Sequence, residues 1–354
     1  MSSKKSELEI ITPDDWHLHL RDGESLAYTV PATSRTFARA IVMPNLAPPV
    51  VTVIQAEQYQ QRILKHVPKG QAFEPLMTLY LTDTISPDEI TKASQSKSVY
   101  ACKLYPAGAT TNSASGVANL NRLDPVFEVM QQVDLPLLVH GEVTDTHVDI
   151  FDREKIFIDQ HLKPLQKKFP KLRIVFEHIT TAEAVEFVMN APEYIGATIT
   201  PQHLLYNRND MLAGGIRPHL YCLPILKGNR HQRALQQAVI SGNPKFFLGT
   251  DSAPHSRDKK EASCGCAGCY SAPVAIELYT SFFDEMGALD RLEGFASVFG
   301  VDFYGLPKNK DKILLLRSEN KVPEQLPYIG PSGIAPLAGG HILNWKQQVD
   351  TSNT

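Results

Sequence analysis

Two histidines separated by one residue, His17 and His19, have the type and spacing of metal ligands. Apolar residues precede the pair, and the turn-forming residues 21–23 follow it. Side chains two positions apart lie on the same face of a strand, so both imidazoles can reach one cation. The pattern predicts a metal site at the end of a first strand. A half-exposed strand that happens to contain two histidines explains the pair equally well. The choice between this explanation and a metal site depends on whether further ligands are present.

Further polar side chains follow at the ends of later predicted strands. The fourth strand ends with Lys103, the fifth with His140, the sixth with His178, and the eighth with Asp251. A lone histidine on an apolar strand is more often a core residue than a ligand. Four such endings at one end of one sheet favour a shared metal site instead.

Short apolar or β-branched runs alternate with amphipathic segments along most of the chain. We expect strands near residues 8–18, 39–44, 73–82, 98–105, 136–141, 173–179, 195–201 and 245–250. We expect helices at 55–66, 88–95, 125–133, 154–169, 182–190 and 230–241. Eight strands with crossover helices predict the α/β class and a (β/α)8 TIM barrel, whose chemistry lies at the carboxyl ends of its strands.

About a hundred residues follow the eighth strand, beyond a usual barrel. Segments 271–286 and 289–299 are predicted helices, 312–317 a short strand, and the tail from residue 323 an extended wrap. No linker or repeat divides the chain, which predicts one domain over 1–354. Its barrel core covers about 8–300 and its C-terminal extension about 301–354.

The bulk composition excludes several classes of function. The chain has 354 residues, of which 43% are hydrophobic, and a formal charge of −3. This balance gives no electrostatic footprint for nucleic acid or an anionic membrane. The N-terminus lacks the apolar region of a signal peptide, and five cysteines are an odd number. We therefore expect a cytoplasmic protein with reduced thiols.

Several segments together resemble the dihydroorotase family, in its shorter, homodimeric bacterial type, within the amidohydrolase superfamily. They are DWHLHLRDG at 15–23, MPN at 43–45, KLYPAGATTN at 103–112, GTDSAPH at 249–255 and CGCAGCY at 264–270. The resemblance runs from about residue 14 to 273 and departs from the family at no ligand position. It implies reversible cyclisation of N-carbamoyl-L-aspartate to L-dihydroorotate and water, in pyrimidine biosynthesis, by a homodimer.

The resemblance also implies two Zn²⁺ ions per subunit. His17, His19 and Asp251 would hold the first ion, and His140 and His178 the second. Lys103, carboxylated by carbon dioxide, and a hydroxide would bridge them. A carbamate supplies two anionic oxygens where an ammonium has no lone pair, and burial frees the neutral amine that reacts. A lysine capping a strand at the surface is the alternative, which the apolar strand around Lys103 disfavours.

A site of this kind is positively charged and favours an anionic substrate. Arg21 follows His19 on the same face, and its planar fork suits a carboxylate. By resemblance, Arg21, Asn45 and His255 bind the substrate carboxylate, and Asp251 is the catalytic acid and base. The further substrate contacts implied are His19, His140, Thr110, Thr111 and the main chains of Leu223 and Ala267.

The cysteine loop and the loop at 106–116 each allow two interpretations. Cys264, Cys266 and Cys269 could form a zinc knuckle with Cys222, although the family resemblance assigns their loop to the substrate pocket. The small, polar residues at 106–116 suit an ordinary connection. Their position beside Lys103, and the resemblance, favour a mobile lid that excludes water.

Three other functions remain possible from the sequence. A dihydropyrimidinase or hydantoinase would use the same metals, but its substrates lack the carboxylate that Arg21 and His255 suit. A non-catalytic barrel would be expected to lose metal ligands, and here all six are present. A mononuclear deaminase would not need Lys103.

Overall fold

The computed structural model describes residues 6–348, and its strands form two separate sheets. The strands are β1 (Glu7–Ile11), β2 (Asp14–Leu18), β3 (Arg39–Val42), β4 (Glu74–Tyr80), β5 (Val99–Leu104), β6 (Leu137–Val139), β7 (Ile174–Phe176), β8 (Ile195–Ile199), β9 (Phe246–Leu248), β10 (Lys312–Lys321) and β11 (Ile342–Gln347). Strands β2 to β9 pair in parallel and in sequence order, which confirms the predicted (β/α)8 barrel.

Main-chain hydrogen bonds beyond the end of β9 close the barrel against β2. The Asp251 amide donates to the His17 carbonyl at 2.9 Å, and the His19 amide donates to the Ser252 carbonyl at 3.1 Å. The Thr250 amide and hydroxyl both donate to the buried Asp15 carboxylate. Barrel closure therefore places the ends of the first and eighth barrel strands side by side.

Helices cover the outside of the barrel and explain the amphipathic pattern. They are α1 (Leu26–Ser34), α2 (Val53–Leu64), α3 (Pro87–Gln95), α4 (Asp124–Gln132), α5 (Arg153–Phe157), α6 (Lys163–Lys168), α7 (Ala182–Asn190), α8 (Pro201–Leu205), α9 (Arg208–Leu212), α10 (Asn229–Ile240), α11 (Arg257–Lys260), α12 (Ala275–Glu285) and α13 (Phe299–Tyr304). The six predicted barrel helices are confirmed, and a π-helical turn, Ile158–Leu162, joins α5 to α6. Sequence periodicity missed α1, which contains Pro31.

The predicted first strand at 8–18 is wrong as a single element. Pro13 separates β1 from β2, since proline cannot donate to a strand ladder. Strand β1 pairs antiparallel with β10, and β10 pairs antiparallel with β11, outside the barrel. The tail after residue 323 is therefore not only an extended wrap, because it includes β11.

The interior of the barrel is filled by apolar side chains below the polar strand ends. Trp16 stacks on Tyr304 of α13 with ring centroids 4.5 Å apart, and it meets Phe247 edge-on. Leu138 and Val175 belong to the same buried cluster. This packing closes the amino-terminal end, so the opposite end is left for ligands. Among the described residues, every helix is too short or too polar to cross a membrane.

Candidate metal centre and substrate pocket

Strand alternation places the candidate ligands inside the barrel. On β5, Ala101 packs in the barrel interior, Cys102 packs outward, and Lys103 points inward again. The β6 segment repeats the pattern, with Leu138 inside and His140 two residues further on. Lys103 and His140 are 0% and 1% exposed. The predicted ligands therefore follow directly from the pleat of apolar strands.

A β-bulge changes this alternation on β2. Asp15 pairs with Ala40 and Leu18 with Val42, so three steps on β2 match two on β3. Trp16 can therefore fill the barrel interior while its neighbour His17 enters the metal site. A bulge that redirects a side chain beside a functional site is a common device. Sequence patterning alone did not reveal this one.

Three donor atoms of the predicted first metal site converge closely. The Nε2 atoms of His17 and His19 lie 3.3 Å apart. Asp251 Oδ1 lies 3.3 Å from the first and 3.2 Å from the second. All three residues are buried. Two imidazole nitrogens and one carboxylate oxygen at this spacing form one face of a coordination sphere suited to zinc.

The hydrogen bonds behind these ligands show that the donor set fits a cation. The Asn45 amide nitrogen donates to the Thr111 carbonyl, so Asn45 Oδ1 faces His19 Nδ1, at 2.9 Å. His19 Nδ1 therefore carries the proton, and Nε2 presents its lone pair to the cluster. His17 Nδ1 lies 3.0 Å from Glu177 Oε1, so Nδ1 faces an anion while Nε2 faces the cluster. Two imidazole nitrogens and a carboxylate oxygen at this spacing need a shared cation, either a metal ion or a proton.

The charges at the cluster agree with this requirement. Although burial lowers it, the carboxylates of Glu177 and Asp251 raise the pKa of His17 to about 9. Burial lowers the pKa of His19 to about 4, so this ring is neutral near pH 7. Although burial opposes it, hydrogen bonds from the two histidines hold the pKa of Asp251 well below its usual range. A metal ion would displace the proton of His17.

Three site residues hold a left-handed backbone conformation. The φ angles are +61° at Arg21, +42° at His178 and +44° at Asp251. This region is uncommon for residues other than glycine and costs free energy, which the surrounding structure must supply. Such strain at three positions around one cavity is characteristic of a functional site rather than of a simple scaffold.

The predicted second metal site has its imidazoles in place. The rings of His140 and His178 lie 4.8 Å apart, and those of His178 and His17 lie 4.9 Å apart. His140 Nε2 lies 2.8 Å from Glu142 Oε2, which leaves its Nδ1 for a ligand. His178 Nδ1 is buried with no partner among the described residues. Burial, aided by the charges of His140 and Lys103, lowers the pKa of His178 well below its usual value.

Lys103 and Glu177 form a fully buried ion pair between the two groups of histidines. Burial lowers the pKa of Lys103, although Glu177 opposes this. Glu177 also converges with His17 and His178 as a second group that could hold a metal. Sequence reasoning assigned Glu177 no role, yet its position beside His178 at a strand end was an available signal.

Arg21 and His255 form the cationic side of the site. The Arg21 guanidinium donates to His255 Nε2 at 3.0 Å and to the Pro254 carbonyl at 3.3 Å. Burial and the charges of Arg21 and Lys260 lower the pKa of His255 to about 2, so its ring is neutral and accepts this bond. His255 therefore orients the guanidinium from behind.

A small cavity lies above the metal ligands at the carboxyl ends of the strands. Its lining includes eight of the predicted substrate contacts, namely His19, Arg21, Asn45, Thr110, Thr111, His140, Leu223 and Ala267. Tyr105 also lines it, and its buried hydroxyl has no partner among the described residues. No sequence pattern selected Tyr105. The polar lining offers partners for a carboxylate and for an amide.

The loop at 106–116 lies across the cavity. Asn112 donates to the Asn45 carbonyl at 3.1 Å, while Asn45 donates to the Thr111 carbonyl at 3.0 Å. Ser113 braces the turn by hydrogen bonds to Thr110. These contacts with Asn45 join the loop to the site, and its movement as a lid stays a prediction.

The four cysteines of the knuckle interpretation do not converge. Cys264 is exposed and Cys266 half-buried, while Cys222 and Cys269 are buried. The two metal-capable groups found among residues 6–348 contain no cysteine. Ala267 within this loop lines the cavity instead, which agrees with the pocket interpretation.

Comparisons with known proteins agree on one family. The model of the amidohydrolase family matches residues 10–314. The dihydroorotase of Hahella chejuensis is 61% identical over 344 residues, covering 97% of this chain and 99% of that protein. A crystal structure of dihydroorotase from Saccharomyces cerevisiae in complex with 5-fluoroorotic acid is 34% identical, with a TM-score of 0.89 over 97% of this chain and 99% of that one. The L-hydantoinase of Arthrobacter aurescens, at 15% identity, covers 98% of this chain and 85% of its own with a TM-score of 0.80, which shows the shared fold alone.

Proposed function

The chain belongs to the amidohydrolase family, among its dihydroorotases, and from that premise we propose how its site performs their reaction. The enzyme reversibly cyclises N-carbamoyl-L-aspartate to L-dihydroorotate and water, a step of pyrimidine biosynthesis. It is metal-dependent, with histidine and aspartate groups that can bind the metal. The convergence of His17, His19 and Asp251 above the barrel is the observation that carries the proposal.

We assign two Zn²⁺ ions to this site. His17, His19 and Asp251 would hold one ion, His140 and His178 would hold the other, and a carboxylated Lys103 would supply oxygen ligands to both. Bound there, the two ions would activate a water molecule as nucleophile and polarise the amide carbonyl. Glu177 and Glu142 orient the rings of His17 and His140 from behind. Carboxylation would replace the contact between the Lys103 ammonium and Glu177.

Asp251 is assigned the proton transfers. In the hydrolytic direction, it takes the proton of the attacking water and returns it to the leaving ring nitrogen. In the synthetic direction, it takes a proton from the carbamoyl nitrogen and delivers it to the departing carboxylate oxygen, which leaves as hydroxide. Its main-chain bond to His17 and its left-handed φ fix the carboxylate at the cavity floor.

The carboxylate of the substrate is assigned to Arg21 and Asn45, while His255, which is outside the cavity lining, orients the Arg21 guanidinium from behind. Arg21 lines the cavity, and its planar fork can bind a carboxylate through two parallel hydrogen bonds. Asn45 would exchange its contact with the Thr111 carbonyl for the substrate. A dihydropyrimidinase or hydantoinase substrate has no carboxylate for these groups, which disfavours that alternative.

One experiment tests metal and activity together. The purified protein is analysed for zinc while turnover of dihydroorotate and of dihydrouracil is measured on the same sample. We expect about two zinc ions per chain and turnover of dihydroorotate alone. Chelation should abolish turnover and added zinc should restore it. Preferred turnover of dihydrouracil, or full activity without metal, would contradict the proposal.

Arg21→Lys is expected to weaken substrate binding without loss of metal. Lysine keeps the positive charge but loses the planar fork, so the KM for dihydroorotate should rise roughly tenfold or more. Zinc content should match that of the wild type, and Arg122→Lys at the surface serves as a control. Metal loss with an unchanged KM would give Arg21 a structural role instead.

The Thr110→Ala, Thr111→Ala double variant tests the lid. Their hydroxyls can donate to a substrate oxygen when the loop is closed, so turnover should fall roughly tenfold or more. Zinc content and thermal stability should be unchanged, and Ser115→Ala in the same loop is the control. Protease cleavage within residues 106–116 should decrease when ligand binds. If the double variant were as active as the wild type, or if bound ligand did not change the cleavage, the segment would be an ordinary connecting loop and not a lid.

We also propose that the enzyme acts as a homodimer in the cytoplasm. The resemblance to the homodimeric bacterial type supports the dimer, and the five free cysteines suit a reducing compartment. Light scattering of the purified protein measures its assembly, and a monomeric mass at working concentration would contradict it.

A further inference from the structure

Lys260, the last residue of α11, is a buried lysine that the reaction does not use. It is 4% exposed, and among the described residues it pairs with no carboxylate. Its ammonium donates to the carbonyls of Tyr221 at 2.7 Å, Cys266 at 2.8 Å and Gly268 at 2.8 Å. These three bonds use all the donors of an ammonium group.

The three carbonyls belong to the two loops that present main chain to the cavity. Cys266 and Gly268 flank Ala267, and Tyr221 lies two residues before Leu223. Ala267 and Leu223 both line the cavity. The Gly268 amide also donates to the Tyr221 carbonyl at 2.9 Å, so the two loops are joined at the same point. Lys260 therefore fixes both loops from behind.

The loops also pack directly against the segment that supports Arg21. Gly268 has a φ of +147°, and a Cβ added there would lie 2.7 Å from the Ala253 side chain and 3.1 Å from the His255 ring. The Ala253 amide donates to the Cys269 carbonyl at 2.7 Å. A shift of the 266–268 loop would therefore be transmitted to His255 and, through its hydrogen bond, to Arg21.

The positive charge of Lys260 also favours the binding of an anionic ligand near Arg21. The ammonium is one of the positive charges that keep His255 neutral, and it adds to the positive potential on the Arg21 side of the cavity. Burying an ammonium without a carboxylate partner is costly. The three carbonyls satisfy its donors but leave its charge unpaired, and this charge lies on the side of the cavity that suits an anionic ligand.

We propose that Lys260 is a positioning residue for substrate recognition, holding the Ala267 and Leu223 main chains and the His255–Arg21 pair in the geometry that binds the substrate carboxylate. This inference rests on the proposed function, since it takes dihydroorotate as the occupant of the cavity. Lys260 does not touch the substrate or the metals. Its effect should therefore fall on binding rather than on the chemical step.

The test compares Lys260→Met with Lys259→Met, the exposed neighbour on the same helix. Methionine fills a similar volume but offers no donor and no charge. For Lys260→Met we expect the KM for dihydroorotate and the Kd for 5-fluoroorotate to rise about tenfold or more. We expect kcat to change less than about threefold, with wild-type zinc content. Lys259→Met should match the wild type throughout.

A KM and Kd equal to those of Lys259→Met would overturn the proposal, as would an equal fall in kcat and zinc content without a change in KM. Should Lys260→Met fail to fold, Lys260→Gln carries the test by the same criteria, because its amide keeps two of the donors. Failure of the proposed function looks different. In that case the wild type itself would neither turn over dihydroorotate nor bind 5-fluoroorotate.

Discussion

Lys103→Ala should lose most of the activity and part of the bound metal. Lys103 is fully buried among the four candidate histidines, and as a carbamate it would bridge both ions. Alanine removes both of the bridging oxygens and leaves Glu177 as the nearest remaining carboxylate. We expect turnover to fall by roughly a thousandfold or more, measured alongside zinc content.

The matched control for this variant is Lys97→Ala, an exposed lysine just before the same strand. Short carboxylates such as acetate or propionate should partly rescue Lys103→Ala, because they can occupy the space of the carbamate. Intact-mass measurement under non-denaturing conditions should show one added carbon dioxide on the wild type. An unmodified amine in an active, metal-replete enzyme would contradict the carboxylation and favour Glu177 as a direct ligand.

Asp251→Asn should lower turnover by roughly a hundredfold or more in both directions while zinc is largely retained. Asparagine keeps an oxygen ligand of the same shape but cannot take a proton. The substitution adds little backbone strain, because asparagine tolerates the left-handed conformation that Asp251 holds at φ +44°. The predicted loss therefore reports on proton transfer rather than on folding.

Turnover of dihydroorotate and of carbamoyl aspartate, with zinc analysis of the same samples, checks this prediction. Asp290→Asn changes an exposed aspartate far along the chain and should behave as the wild type. Near-normal rates for Asp251→Asn in both directions would remove Asp251 from the proton-transfer role. Loss of zinc together with activity would limit Asp251 to a ligand role.

The sequence alone determined the barrel and where its chemistry lies. Apolar strands alternating with amphipathic helices leave few other folds, since each strand must be buried on both faces. The apolar runs also placed Lys103 and His140 at strand ends, which meet at the catalytic face of such a barrel. These features depend on local periodicity, which a sequence records directly.

The tertiary structure alone decided how the site is assembled. The bulge on β2 directs the side chains of both Trp16 and His17 into the barrel, although adjacent side chains of a regular strand point to opposite faces. Barrel closure brings Asp251 to His17, more than two hundred positions away in the chain. Asn45 fixes the His19 tautomer because the 106–116 loop orients the Asn45 amide.

The roles of Glu177 and Lys260 also could not be predicted from the sequence. Each is an ordinary charged residue in the sequence, and its meaning depends on burial and on which groups of other strands and loops meet it. A sequence motif cannot identify the three carbonyls that bind Lys260, because every residue type has the same main-chain carbonyl. Local patterns therefore specified the ligands, whereas long-range hydrogen bonds and buried charge specified their geometry, because those interactions exist only once distant segments have packed together.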